Sequence, residues 1–196
     1  MIPLAIPPSS FLDGAMEKHS DTPPARAVFW DRDGTLMEEV DYCGDPSKVQ
    51  AISGAGDALR SLQAGGWLNI LITNQSGIGR GYFSVADFES VNAELIRQLG
   101  TSWNAIYFCP EAPPSSSHRR KPAVGMLEEA CRDHRIDPER SWLVGDKTSD
   151  ISCGQNFGCR TILVLTGYGN QQTACGADFV VADAGEAARL ILGQRF

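Results

Sequence analysis

From residue 27 onward, short apolar runs alternate with segments of helical period, and that alternation restricts the chain to an α/β domain on a mostly parallel sheet. Strands are expected at 27–30, 68–73, 105–109, 142–145, 161–165 and 179–180. Helices are expected at 54–64, 84–99, 123–134, 148–157 and 185–192. The punctuation agrees with this division. Gly65 and Gly66 close the first helix, and Ser84 with Asp87 three residues later opens the second as a capping box. Pro122 is expected in the first turn of the third helix, with Pro138 beyond its end.

A chain of 196 residues suits one domain. That domain is expected to span 26–196, behind a poorly ordered leader at 1–25. The leader carries Pro7, Pro8, Pro23 and Pro24 and lacks the basic start and sustained apolar core of a secretory signal. No apolar stretch approaches the roughly 20 residues that cross a bilayer, so no membrane partner is expected. The formal net charge of -7 disfavours nucleic acid, which needs a basic face to displace counterions. Six cysteines, at 43, 109, 131, 153, 159 and 175, include no CxxC pair and suit reduced thiols in a cytoplasmic monomer.

In an open parallel sheet, ligands bind beyond the carboxyl ends of the strands, and the polar residues of interest fall there. Asp31 and Asp33 follow the first strand, Thr73 and Asn74 end the second, Lys121 lies beyond the third and Asp146 follows the fourth. Two carboxylates spaced as in Asp31-Arg32-Asp33-Gly34-Thr35 can divide labour, one attacking phosphorus while the other moves a proton. Taken alone, that pair is more simply an acidic turn; the downstream segments change the balance. Thr73, Asn74, Gln75 and Ser76 offer hydroxyls and amides to non-bridging phosphate oxygens. Arg120 and Lys121 supply cations to a developing phosphoryl charge. Asp146 and Asp150 are oxygen donors of the kind a hard magnesium ion takes, although Asp150 alone would also serve as a helix cap.

The order DxDGT, TNQSG, RKP and GDKxxD resembles the four signature motifs of the haloacid dehalogenase (HAD) superfamily, over about residues 27–165. DRDGT, TNQSGIGRG, the CP dipeptide after the third strand, RKP and GDK further resemble the D-glycero-D-manno-heptose 1,7-bisphosphate 7-phosphatase family, with histidinol-phosphate phosphatases as near relatives. The resemblance implies a HAD-like Rossmannoid fold, with helices on both faces of the sheet. The interval between the first strand and first helix is too short for a large cap domain.

It implies Asp31 as nucleophile and magnesium ligand, Asp33 as acid/base whose carbonyl also meets the metal, and Asp146 as the third ligand, with Asp150 behind them. Thr73 and Lys121 would hold the phosphoryl group. Arg120 and Lys147 would contact the rest of a small phosphorylated metabolite, beside Glu39 and Tyr42. A polynucleotide 3′-phosphatase would share the chemistry but want a basic groove, and a non-catalytic module would be expected to lack one of these residues. The family's structural zinc pattern is broken here. Cys109 stands, but Glu111, Ser117 and Arg119 occupy the other ligand positions, so no zinc is expected.

Overall fold

The computed structural model describes residues 23–194. Six parallel strands form one sheet in the order β3-β2-β1-β4-β5-β6. These are β1 (Ala27–Trp30), β2 (Leu68–Asn74), β3 (Ala105–Cys109), β4 (Trp142–Gly145), β5 (Arg160–Val164) and β6 (Phe179–Val181). The connecting helices are α1 (Ala55–Ala64), α2 (Ser76–Gly79), α3 (Val85–Leu99), α4 (Gly125–His134), α5 (Thr148–Phe157) and α6 (Ala184–Gly193).

Strand alternation sorts the core into two layers, because successive side chains point to opposite faces. Val28 and Trp30 pack with Leu71, Trp142, Val144 and Ile162 against α1, α3 and α6. Ala27 and Phe29 pack with Ile70, Ile72 and Leu143 against α4 and α5. The inner strands are apolar on both faces because both faces are covered. Two polar groups enter this core only with partners: Trp30 Nε1 donates to Asn69 Oδ1 at 2.9 Å, and Asn69 Nδ2 donates to the Leu59 carbonyl at 2.9 Å.

The helices begin where capping chemistry stops the preceding chain. Ser84 Oγ accepts the Asp87 N–H while an Asp87 carboxylate oxygen accepts the Ser84 N–H, as expected of a capping box. Pro122 is not in the first turn of α4; it lies three residues before that helix begins at Gly125. Its neighbour Lys121 is instead held in the loop by Asn74, which donates to the Lys121 carbonyl and accepts its N–H, both at 3.1 Å. The packed structure extends slightly further toward the N-terminus than the expected boundary at residue 26. Ala25 donates to the Arg135 carbonyl at 2.9 Å and accepts from the Asp137 N–H at 2.8 Å. Residues 1–22 of the expected leader lie outside the described residues.

The sheet order reverses direction at β1, which pairs with β2 on one side and β4 on the other. That switch point opens a crevice above the carboxyl ends of β1 and β4.

Candidate active site

Asp31 and Asp146 follow the two strands that flank the crevice. The Asp31 N–H bonds the Val144 carbonyl at 2.9 Å, so the β1–β4 ladder sets where Asp31 emerges. Asp150 joins them from the first turn of α5, where one of its oxygens accepts the Lys147 N–H at 3.0 Å. Ligand oxygens of Asp31, Asp146 and Asp150 all lie within 4.8 Å of one another, and all three residues are buried.

Three buried carboxylates repel unless cations stand among them. Lys121 supplies one. Its Nζ reaches Asp31 Oδ1 at 2.8 Å, Asp150 Oδ1 at 2.7 Å and the Ile72 carbonyl at 3.0 Å, so all three N–H donors are used. Burial works against the charge on Lys121, yet Asp150 and Asp31 raise its pKa well above the usual value. Burial likewise opposes ionisation of Asp31, but the Lys121 and Lys147 charges outweigh it and hold this carboxyl below the usual range.

Asp146 differs. Burial and the neighbouring Asp31 push its pKa up to about 8, against which Lys147 and the Tyr168 N–H bond work. Its Oδ2 accepts that N–H at 2.9 Å, while its Oδ1 is buried with no hydrogen-bond partner. An unpartnered acceptor in a nest of carboxylates fits a hard divalent cation, for which oxygen donors of this type are the natural ligands. The walls around Asp146 are close: a Cβ on Gly34 would lie 2.2 Å from its Oδ2, and one on Gly167 would lie 2.3 Å away. Gly34 has φ +81, a conformation glycine adopts freely.

Asp33 stands apart from this cluster. Its carboxylate is held by Arg32 and by Gln75, whose Nε2 donates to Asp33 Oδ2 at 2.8 Å and to Thr73 Oγ1 at 2.9 Å. Two cavities meet here. The smaller, about 40 Å³, is lined by Asp31, Asp33, Thr73, Asn74, Lys121, Lys147, Ser149 and Asp150. The larger, about 340 Å³, is lined by Asp33, Asn74 and Lys147 again, with Glu39, Tyr42, Gln75, Ser76, Phe83 and Tyr168 among the others. Lys147 bridges them, donating to Glu39 Oε2 at 2.9 Å and lying 4.9 Å from the Tyr168 ring centre. Burial raises the Glu39 pKa against the pull of Lys147.

Of the candidate site residues singled out from sequence, two line neither cavity: Asp146, which is fully buried in the carboxylate cluster, and Arg120, whose guanidinium donates to the Glu111 carbonyl at 2.9 Å. The loop that departs from the zinc pattern is tied by side chains instead. Cys109 Sγ donates to Glu111 Oε2 at 3.3 Å, His118 pairs with Glu128 at 2.7 Å, and Arg119 pairs with Glu129 at 3.1 Å. All six cysteines are free thiols.

Sequence reasoning missed three features. It passed over Arg32, although a cation between two acids just beyond an apolar strand is a signal that burial will demand pairing. It assigned Asp150 a cap or a place behind the metal site, whereas Asp150 both caps α5 and pairs with Lys121. It also left α2 and the aromatic wall of Phe83 and Tyr168 unassigned, since no local pattern marks them.

Comparison with known proteins places this geometry among phosphatases. A family model described as HAD-hyrolase-like matches residues 118–187. A D-glycero-beta-D-manno-heptose-1,7-bisphosphate 7-phosphatase of Haemophilus ducreyi is 40% identical over 153 residues, 72% of this chain and 84% of that protein. The D-glycero-D-manno-heptose-1,7-bisphosphate 7-phosphatase of Thermosynechococcus vestitus is 37% identical over 188 residues, 86% of this chain and 96% of that protein. Among solved structures, the D,D-heptose 1,7-bisphosphate phosphatase of B. bronchiseptica, complexed with magnesium and phosphate, superposes with a TM-score of 0.80 at 30% identity, covering 85% of this chain and 98% of its own.

Proposed function

The chain belongs to the HAD-like hydrolases, a phosphatase by its relatives, and from that premise we propose that it removes the 7-phosphate of D-glycero-D-manno-heptose 1,7-bisphosphate with the help of magnesium. The observation that carries this reading is the junction of the two cavities at Asp33, Asn74 and Lys147. The smaller has the donors and acids a phosphoryl group requires, and the larger has room for a polyol beside it. The scissile P–O bond then lies at their meeting point, next to Asp33.

Asp31, ionised at neutral pH, attacks phosphorus through its free face while Lys121 fixes its other oxygen. Thr73, Asn74 and Lys121 surround the transferring group. Asp33 gives its proton to the leaving oxygen as the P–O bond breaks, and then takes a proton from the water that hydrolyses the aspartyl phosphate on Asp31. Asp31, Asp146 and the Asp33 carbonyl would hold magnesium, which supplies positive charge against the repulsion between an anionic nucleophile and an anionic ester. Glu39 and Tyr42 line the side that receives the sugar. We further place the protein in the cytoplasm as a monomer that binds no structural zinc. Support comes from the thiols, from the pairing of Cys109 with Glu111 in place of a ligand set, and from the relatives' substrate.

Phosphate release from heptose bisphosphate, histidinol phosphate and a 3′-phosphorylated oligonucleotide, each with and without magnesium, tests the proposal. The heptose bisphosphate is expected to give the highest kcat/KM. A higher value for either rival overturns the substrate, and absence of magnesium-dependent release from all three overturns the chemistry.

A further inference from the structure

The proposed chemistry uses the two aspartates of the first motif and leaves the arginine between them without a task. Arg32 is 0% exposed. A guanidinium is tolerated at such depth only when its donors are paired. Its Nε lies 3.2 Å from each Asp33 oxygen and its Nη2 lies 2.9 Å from Oδ1, a fork set against a carboxylate. Nη2 also meets Gln75 Oε1 at 3.1 Å, and Nη1 meets Asn92 Oδ1 at 3.3 Å. The guanidinium carbon lies 5.3 Å from the ring centre of Phe88. Phe88 and Asn92 are four residues apart on α3 and therefore share one face of that helix.

We propose that Arg32 is a positioning residue for Asp33: together with Gln75 it holds the Asp33 carboxylate at the junction of the two cavities, and α3 holds Arg32 in turn through Asn92 and Phe88. The inference rests on the phosphatase reading. Asp33 follows the end of β1 and enters a turn, where a short side chain is free to rotate unless something stops it. Arg32 and Gln75 contact both of its oxygens, so rotation out of the junction breaks several charge-assisted bonds at once. Placement matters because proton transfer needs hydrogen-bond reach to the leaving oxygen. In that step Asp33 acts as the carboxylic acid formed when it takes a proton from the hydrolytic water of the preceding turnover. A bond forms between Asp31 and phosphorus, the ester P–O bond breaks, the acid's proton passes to the departing oxygen, and the carboxylate left behind is the species Arg32 and Gln75 hold.

The test exploits the difference between leaving groups. An alkyl ester departs as an alkoxide that needs the proton, whereas p-nitrophenyl phosphate departs as a phenolate that does not. The measured quantity is kcat/KM, which runs only as far as P–O cleavage and so is blind to hydrolysis of the phosphoenzyme. Arg32→Met is expected to lower kcat/KM about 100-fold on the heptose bisphosphate and less than about tenfold on p-nitrophenyl phosphate, since positioned acid catalysis contributes on that scale. Arg32→Lys, which keeps the cation but loses the fork, is expected to show the same selective loss. Equal losses on the two esters, or no loss on either, overturn the proposal. Should Arg32→Met fail to fold, Gln75→Met, which removes the other donor to Asp33, decides by the same criterion. Wild-type protein inactive on both esters would instead overturn the phosphatase reading, before any variant is compared.

Discussion

The Lys121 ammonium lies 2.7 Å from Asp150 Oδ1, and that contact joins the loop before α4 to the first turn of α5 directly beneath the proposed nucleophile. Because the same nitrogen also bonds Asp31, one cation is shared by two buried acids. Removing it should therefore do more than weaken phosphate binding. Lys121→Met is expected to destabilise the metal-free protein by about 3–5 kcal/mol, the cost of stripping one partner from a buried pair. Adding Asp150→Asn should recover part of that loss, because it removes one of the stranded charges. Urea unfolding of both variants and of Asp150→Asn alone closes the cycle, and strictly additive losses would contradict the coupling.

Asp31→Asn removes the nucleophile while preserving size, and the position bonds Lys121 and the Val144 carbonyl through groups that asparagine largely retains. Activity should fall below detection with the fold intact by circular dichroism. Substantial residual turnover would refute Asp31 as the attacking group.

The raised pKa of Asp146 makes the metal-free protein sensitive to pH. Its value rises from 3.8 to about 8 on folding, through burial and the Asp31 charge. Between 3.8 and about 8 the folded state thus holds a proton that the unfolded chain has released, so the associated stability is full below 3.8, falls progressively across that range and is gone once pH has climbed through about 8. A cation bound beside Asp146 replaces that proton. The rise in Tm on adding magnesium should consequently be greater above that pH than well below it. A rise independent of pH would place the ion elsewhere.

Gly34→Ala introduces a Cβ 2.2 Å from Asp146 Oδ2 at a φ of +81. The left-handed conformation alone costs about 1–2 kcal/mol for a residue with a Cβ, and the clash must also push Asp146 aside. Magnesium should bind more weakly and kcat/KM should drop by more than tenfold, as read from magnesium titrations of activity.

Cys109 bonds Glu111 rather than standing among further sulfur ligands. Metal analysis of protein purified without added zinc should find well under one zinc per chain, and stoichiometric zinc would refute this. Cys109→Ala should then cost only the packing of a small buried thiol, on the order of 1–2 kcal/mol by thermal melting.

Local pattern determined much of this protein. Strand β1, β3 and β4 and helix α5 fall at the expected residues, since their apolar runs and turn residues act within a few positions of themselves. Asp31, Asp33, Thr73, Lys121 and Asp146 came to notice because they sit at strand ends, and parallel strands carry their ends to one edge; the family resemblance then implied their roles. Three-dimensional packing decided the electrostatic pairing. Nothing in the sequence near Lys121 announces Asp150, which is 29 residues away, and nothing near Arg32 announces Asn92, which is 60 away. Buried charges take whichever opposite group the folded chain delivers within hydrogen-bond range, and that choice exists only once the sheet order and helix faces are set.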